Sequence, residues 1–139
     1  MNKILIINGP NLNLLGSREP NIYGKKTLNE IEQECKKEFK NIKITFFQSN
    51  SESEIIDFIH KTDEYSGIII NAGAFTHTSI AIHDALKAVK LPKVEVHISN
   101  IYNREDFRKK SFISPVVDGI IAGFGTSVYK LAITSLVNK

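Results

Sequence analysis

The stretch Ile4-Leu5-Ile6-Ile7-Asn8-Gly9-Pro10-Asn11 predicts that the chain begins with a strand of a parallel α/β sheet. Its continuous apolar run is typical of a strand that is buried on both faces. The strand must end here, because Pro10 lacks an amide N–H and Gly9 tolerates unusual backbone angles. Open α/β sheets bind ligands at the carboxyl ends of their strands, so this amide-rich corner favours a site for a small, oxygen-rich molecule. The crowded amides are those of Asn8, Asn11 and Asn13.

Short apolar runs alternate with amphipathic helical patterns along the rest of the chain. Thr27 with Glu30, and Ser51 with Glu54, form capping boxes that predict helix N-termini. A third helix is predicted to start near residues 76–78. The alternation predicts a parallel sheet of flavodoxin-like strand order 2-1-3-4-5, with helices on both faces. The predicted strands are residues 3–7, 42–47, 67–70, 93–96 and 119–122.

Length and composition predict one ordinary globular domain over residues 1–139, with 42% hydrophobic and 24% charged residues. The 18 Lys and Arg residues are scattered and the net charge is +3, so we expect no nucleic-acid partner. The chain has no segment long enough to cross a membrane and no apolar N-terminal run of signal-peptide length, so we expect a cytoplasmic protein. Cys35 is the only cysteine, which excludes an intramolecular disulfide and predicts a core position in a helix.

The connection at residues 10–24 is longer than most connections between a strand and a helix. Its apolar residues, among them Leu12, Leu14, Leu15 and Ile22, argue against disorder. We therefore predict an active-site lid at about residues 17–24, with residues 17–21 as its mobile part.

Polar residues follow three strands that are neighbours in the predicted order. Asn11 follows the first strand, Asn71 the third, and His97 and Ser99 the fourth. A single polar residue at a strand end is usually a cap or a turn former. Three neighbouring strand ends of this kind predict one shared crevice.

Histidines supply the candidates for proton transfer, because imidazole titrates near neutral pH. His97 stands at a strand end, and Glu95, two residues earlier on the same side of the strand, is predicted to orient it. His77 lies in a Phe-Thr-His-Thr-Ser stretch that reads equally well as an ordinary helix start or as a hydroxyl-binding site. His60 and His83 have no such context and are interpreted as surface residues.

Arginines and a tyrosine complete the candidate set. Arg18 and Tyr23 lie on the predicted lid, and Arg104 and Arg108 follow the fourth strand at i and i+4. Around an amide-rich crevice, such arginines could clamp hydroxyls or a carboxylate. A tyrosine serves as a base only where nearby cations favour its phenolate, and two arginines within reach would do so.

Longer motifs resemble those of the type II 3-dehydroquinate dehydratases. The resemblance covers essentially the whole chain in order, and several motifs are longer than chance would produce. The matching stretches include INGPNLNLLGSREP at residues 7–20, IYG at 22–24, FQSN at 47–50, the segment 71–85, EVHISN at 95–100, REDFR at 104–108 and the segment 119–125.

This resemblance implies dehydration of 3-dehydroquinate to 3-dehydroshikimate in the shikimate pathway, without metal, Schiff base or other cofactor. It implies that Tyr23 removes the C2 proton, that Arg18 keeps Tyr23 ionised, and that His97, positioned by Glu95, protonates the departing C1 hydroxyl. Asn11 would hold a water that stabilises the enolate. The resemblance implies substrate binding by Asn71, His77, Ile98, Ser99 and Arg108, by Asp84 of a neighbouring subunit, and assembly of trimers into a homododecamer.

Two other classes of function stay open at this point. The first is a flavodoxin-like binding or signalling module. At the end of the first strand, a receiver domain needs clustered acids and an FMN module needs a phosphate loop. This chain has Asn8-Gly9-Pro10-Asn11 there instead. The other is a dehydratase or isomerase with the same mechanism that acts on another cyclic hydroxy-ketone acid.

Overall fold

Five parallel strands form the centre of the structure, a computed structural model that describes residues 3–138. The strands are β1 (Lys3–Asn8), β2 (Lys43–Gln48), β3 (Gly67–Asn71), β4 (Lys93–His97) and β5 (Gly119–Ala122). Their order across the sheet is β2-β1-β3-β4-β5, which confirms the predicted flavodoxin-like order. Every predicted strand is present, with bounds that differ by no more than one residue at each end.

Helices cover both faces of the sheet, as the alternating pattern predicts. They are α1 (Pro20–Tyr23), α2 (Leu28–Glu38), α3 (Glu52–Ile59), α4 (Ile80–Ala88) and α5 (Ser127–Val137). Successive side chains of a strand point to opposite faces, so Ile4 and Ile6 pack with α2 and α5, while Leu5 and Ile7 pack with α3 and α4. None of the helices in residues 3–138 is long and apolar enough to cross a membrane.

One of the two predicted capping boxes is present. At α2, the Thr27 hydroxyl accepts a hydrogen bond from the N–H of Glu30 at 3.1 Å, and the Glu30 carboxylate accepts one from the N–H of Thr27 at 3.0 Å. The predicted second box is wrong. Ser51 caps α3 by accepting from the N–H of Glu54, but the Glu54 carboxylate accepts a hydrogen bond from the Ser49 hydroxyl instead of closing the box.

The prediction that α4 starts near residues 76–78 is also wrong. Residues Gly73–His77 form a 3-10 turn, and the α-helix begins only at Ile80. Ser79 is its N-cap, and the Ser79 hydroxyl accepts a hydrogen bond from the N–H of Ile82 at 2.9 Å. The delayed start leaves His77 on a tight turn at the carboxyl edge of the sheet.

The long connection at residues 10–24 is anchored to the core. Leu12, Leu15 and Tyr23 are buried against the α2 side of the sheet, while Leu14 and Ile22 are exposed. The connection contains a 3-10 turn and the short helix α1. The function of residues 17–24 as a lid stays a prediction.

Two polar side chains show how far burial follows the sequence pattern. Cys35 is fully buried in α2, as predicted, and burial raises the pKa of its thiol to about 11. Lys93, a charged residue, is also buried, at the start of β4. Its ammonium group donates to the carbonyls of Val89 and Leu91, at the edge of the sheet opposite the carboxyl ends.

Candidate active site

A crevice opens at the carboxyl ends of β1, β3 and β4, where the sequence predicts that polar residues converge. Asn8 pairs in register with Asn71, and His97 ends the neighbouring strand. The crevice encloses about 150 Å³, which suits a ligand smaller than a typical drug. The predicted site residues that line it are Asn11, Arg18, Tyr23, Asn71, His77, His97, Ile98, Ser99 and Arg108.

His97 and Glu95 form a buried pair on β4. Residues two apart on a strand share a face, and Nε2 of His97 lies 2.5 Å from Oε2 of Glu95. Burial opposes ionisation of Glu95, but hydrogen bonds from His97 and two serine hydroxyls, with the charge of the imidazole, hold the pKa of Glu95 below its ordinary value. An ionised carboxylate only accepts hydrogen bonds, so Nε2 of His97 carries a proton. The other ring nitrogen stays available to a ligand.

Tyr23 lies at the end of α1 with two guanidinium groups beside it. Arg104 donates a hydrogen bond to the Tyr23 hydroxyl at 2.7 Å, and also to the Ser99 hydroxyl at 3.3 Å. The guanidinium carbons of Arg18 and Arg104 lie 4.9 and 5.2 Å from the centre of the tyrosine ring. The pattern of two arginines around a phenol is therefore present, and Arg104 is the one that contacts the oxygen.

Gly9 is required at the end of β1 because the backbone of the neighbouring strand comes very close. A Cβ atom built on Gly9 would lie 2.2 Å from the carbonyl oxygen of Ala72, whereas the φ of Gly9 is not positive. Gly9 therefore does not use the left-handed angles that glycine tolerates. What the position needs is space, which only glycine leaves.

Asn11 adopts a left-handed backbone conformation with φ of 70°, which asparagine tolerates better than most residues. Its N–H donates to Oδ1 of Asn50 at 3.0 Å. Gln48, at the end of β2, donates to the same Asn50 oxygen and to the carbonyl of Gly9, each at 3.1 Å. The end of β2 thus holds the loop that presents Asn11 to the crevice.

Asn71 is held from behind by a buried tyrosine. Nδ2 of Asn71 donates to the hydroxyl of Tyr129 at 3.0 Å, and that hydroxyl donates to Oδ1 of Asn8 at 2.6 Å. Burial raises the pKa of Tyr129, so it stays a neutral hydroxyl. Asn8 lies at the end of β1, as predicted, but is fully buried in this network and does not line the crevice.

Two histidines hold the segment at residues 110–112. His77 places Nδ1 2.7 Å from the carbonyl of Lys110, and His83 places Nδ1 2.6 Å from the carbonyl of Phe112. Burial lowers the pKa of His77, and its contact to a carbonyl requires the proton on Nδ1, so Nε2 can accept a hydrogen bond. His60 is exposed, as predicted, whereas His83, also interpreted as a surface residue, is only partly exposed because its ring contacts the Phe112 carbonyl.

Asp84 is the one predicted site residue on a different surface. It is exposed on α4 and does not line the crevice of its own chain. Arg108 does line the crevice, and its Nε donates to the carboxylate of Glu105 at 3.2 Å. Its guanidinium group is thereby held at the mouth of the crevice.

Comparison with known proteins identifies the family. The sequence profile described as "Dehydroquinase class II" matches residues 2–137, which is nearly the whole chain. The chain belongs to this family. It is therefore an enzyme, a class II dehydroquinase, and the alternative of a flavodoxin-like binding or signalling module is set aside.

Individual relatives and solved structures agree with this assignment. A 3-dehydroquinate dehydratase of Prochlorococcus marinus strain MIT 9215 is 59% identical over 140 residues, which cover 99% of this chain and 95% of that protein. One from Rhizobium johnstonii is 52% identical, over 97% of this chain and 95% of that protein. The crystal structure of a type II dehydroquinase from Butyrivibrio crossotus superposes with a TM-score of 0.96 at 47% identity, over 98% of this chain and 97% of that chain.

Three residues that support this dehydroquinase site, namely Gln48, Asn50 and Tyr129, are absent from the set selected from the sequence, whereas Arg104 belongs to that set. The i, i+4 spacing points to Arg104 as a clamp, but the hydrogen bond to Tyr23 required three-dimensional information. Gln48 and Asn50 could have been found, because polar residues directly at the end of a predicted strand indicate a site. No sequence signal indicated Tyr129, because its place in an apolar helical pattern does not predict that its hydroxyl is buried and hydrogen-bonded.

Proposed function

We propose that this chain dehydrates 3-dehydroquinate to 3-dehydroshikimate in the shikimate pathway. The observation that carries the proposal is the pairing, in one crevice, of a phenol contacted by an arginine with an imidazole that is hydrogen-bonded to a buried carboxylate. Loss of water from a hydroxy-ketone needs a base for the carbon next to the ketone and an acid for the leaving hydroxyl. Family membership favours this substrate over another cyclic hydroxy-ketone acid.

Tyr23 is the proposed base that takes the proton from C2. The guanidinium groups of Arg18 and Arg104 both lie within about 5 Å of its ring and place positive charge beside the proposed base. The hydrogen bond from Arg104 also fixes the direction in which the phenol oxygen points. Proton removal leaves an enolate, whose charge a water molecule held by Asn11 would stabilise.

His97 is the proposed acid. With Nε2–H held by the Glu95 carboxylate, the other ring nitrogen of the protonated imidazole faces the substrate and would donate a proton to the C1 hydroxyl. The hydroxyl leaves as water, and the electron pair of the enolate forms the C1–C2 double bond. Tyr23 has gained one proton and His97 has lost one, so a proton must return from the phenol to the imidazole before the next turnover.

Polar groups around the crevice are proposed to hold the substrate. The backbone N–H groups of Ile98 and Ser99 would bind the carboxylate, with Asn71 nearby. His77 and Arg108 would bind ring hydroxyls. The fixed tautomer of His77 supports this, since its Nε2 can accept a hydrogen bond from a hydroxyl.

The assembly is proposed to be a homododecamer built as a tetramer of trimers, in the cytoplasm, with residues 17–24 as a lid. Exposed apolar side chains are available for contacts between copies. They include Ile120 on β5 at 50% exposure, Phe124 at 67%, and Ile80 at 59%, which lies on the same helix as Asp84. Asp84 would then reach the crevice of a neighbouring copy.

The direct test is turnover of 3-dehydroquinate by the purified chain, followed by the absorbance of the conjugated enone product. We expect saturable turnover with this substrate and none with related cyclic acids that lack the ketone. If the chain turns over a different cyclic hydroxy-ketone acid and does not turn over 3-dehydroquinate, the proposed substrate is contradicted, while the proposed mechanism still applies.

A further inference from the structure

The carboxylate of Glu95 has two partners that lie outside the crevice. The hydroxyl of Ser111 donates to Oε2 at 2.9 Å, and the hydroxyl of Ser114 donates to Oε1 at 2.5 Å. Together with His97 they give both oxygens of a side chain that is 1% exposed a hydrogen-bond donor. Neither serine belongs to the crevice-lining residues, so neither would touch the substrate.

We propose that Ser111 and Ser114 are positioning residues, which fix the Glu95 carboxylate and keep it ionised so that it holds His97 as the proton donor. This inference rests on the function proposed above. A buried carboxylate tends to take up a proton, and hydrogen bonds donated to it favour the charged form. A neutral Glu95 would leave the protonated form of His97 without its counter-charge.

The segment that carries Ser111 is also tied to the turn that carries His77. Its backbone donates from the N–H of Phe112 to the carbonyl of Thr76 at 2.8 Å, and its carbonyls accept from His77 and His83. The serine hydroxyl then reaches across to Glu95. One short segment therefore fixes the orientation of His77 and, through Glu95, that of His97.

The two serines are not equivalent as test positions. The Ser111 hydroxyl also accepts hydrogen bonds from the N–H groups of Ile113 and Ser114, each at 3.0 Å, so its loss would loosen the turn. Among the described residues, the Ser114 hydroxyl bonds only to Glu95. Ser114→Ala is therefore the cleaner perturbation.

We expect Ser114→Ala to lower kcat about tenfold, the effect of losing one hydrogen bond to a charged group. KM should stay nearly unchanged, because the substrate-binding groups are untouched. The acid limb of the pH profile of kcat should move to higher pH, because Glu95 takes up its proton more readily. Ser114→Thr, which keeps the hydroxyl, should restore most of the activity.

Two controls separate positioning from a structural effect. Thr62→Val removes a buried hydroxyl that bonds to the carbonyl of Ile59, remote from the crevice, and should leave kcat unchanged. In a Glu95→Gln background, Ser114→Ala should cause little further loss, because both changes act on the same group. An equal fold-loss in both backgrounds, or no loss in the parent chain, would overturn the inference.

The outcomes also distinguish the inference from the proposed function. If the parent chain turns over 3-dehydroquinate and Ser114→Ala has the same kcat and pH profile, the inference alone is wrong. If the parent chain has no such turnover, the proposed function fails and the inference fails with it.

Discussion

Tyr129→Phe should destabilise the fold and weaken substrate binding, although Tyr129 lies outside the crevice. The change removes one fully buried hydroxyl and leaves Oδ1 of Asn8 and an N–H of Asn71 without a partner. An unpaired buried polar group costs about 1–3 kcal/mol, so two of them cost roughly 2–4 kcal/mol after partial relaxation. For a domain of this size that loss lowers Tm by roughly 10 °C. Asn71 would also lose its fixed orientation, so KM should rise while kcat changes little.

Thermal unfolding of the two proteins at one protein concentration measures the first effect, and steady-state kinetics measures the second. Tyr65→Phe is the matched control, because the hydroxyl of Tyr65 has no hydrogen bond to any residue from 3 to 138 and should be silent in both assays. If Tyr129→Phe keeps both the Tm and the KM of the parent chain, the two amides are not held as described and the reasoning is refuted.

Three further predictions concern the chemistry and the assembly. Arg104→Lys should lower kcat about tenfold, because the flexible chain of lysine does not hold its ammonium where one rigid guanidinium nitrogen of Arg104 contacts both Tyr23 and Ser99; steady-state turnover measures this, and an unchanged kcat would contradict it. Asp84→Ala should raise KM without lowering Tm, and light scattering that finds a fully active monomer would refute a shared site. EDTA should leave activity intact, because residues 3–138 contain no group of three or more His, Cys, Asp or Glu side chains that could hold a metal ion. Borohydride with substrate should trap no adduct, because no lysine in the same residues lines the crevice; a substrate-sized mass increase on a lysine would overturn this.

The sheet could be predicted from the sequence because its signals are local. A continuous apolar run such as Ile4 to Ile7 needs cover on both faces, and alternation with helices then requires parallel strands. Strand ends could be predicted for the same reason, since polar residues such as Asn71 and His97 follow directly on buried ones. Helix starts were harder to predict. The capping box at Ser51 is absent because a nearby side chain binds the Glu54 carboxylate, and α4 starts later than predicted because a 3-10 turn takes up the preceding residues.

The contacts that join distant parts of the chain could not be predicted in this way. Tyr129 and Asn8 are separated by 121 positions, and Arg104 and Tyr23 by 81. No periodicity or spacing relates such pairs, because their meeting depends on how helices pack over the sheet. The sequence therefore indicates which residue types reach the crevice, and the structure is needed to say which side chain holds which.

The most direct test of the central claim is the turnover of 3-dehydroquinate by Tyr23→Phe. The change removes the phenol oxygen and keeps the ring that packs at the end of α1. General base catalysis contributes roughly 10²–10⁴-fold, so kcat should fall by at least that factor, while calorimetry should find substrate binding about as tight as in the parent chain. Near-parental turnover by Tyr23→Phe would contradict the account, because the base would then have to be another group.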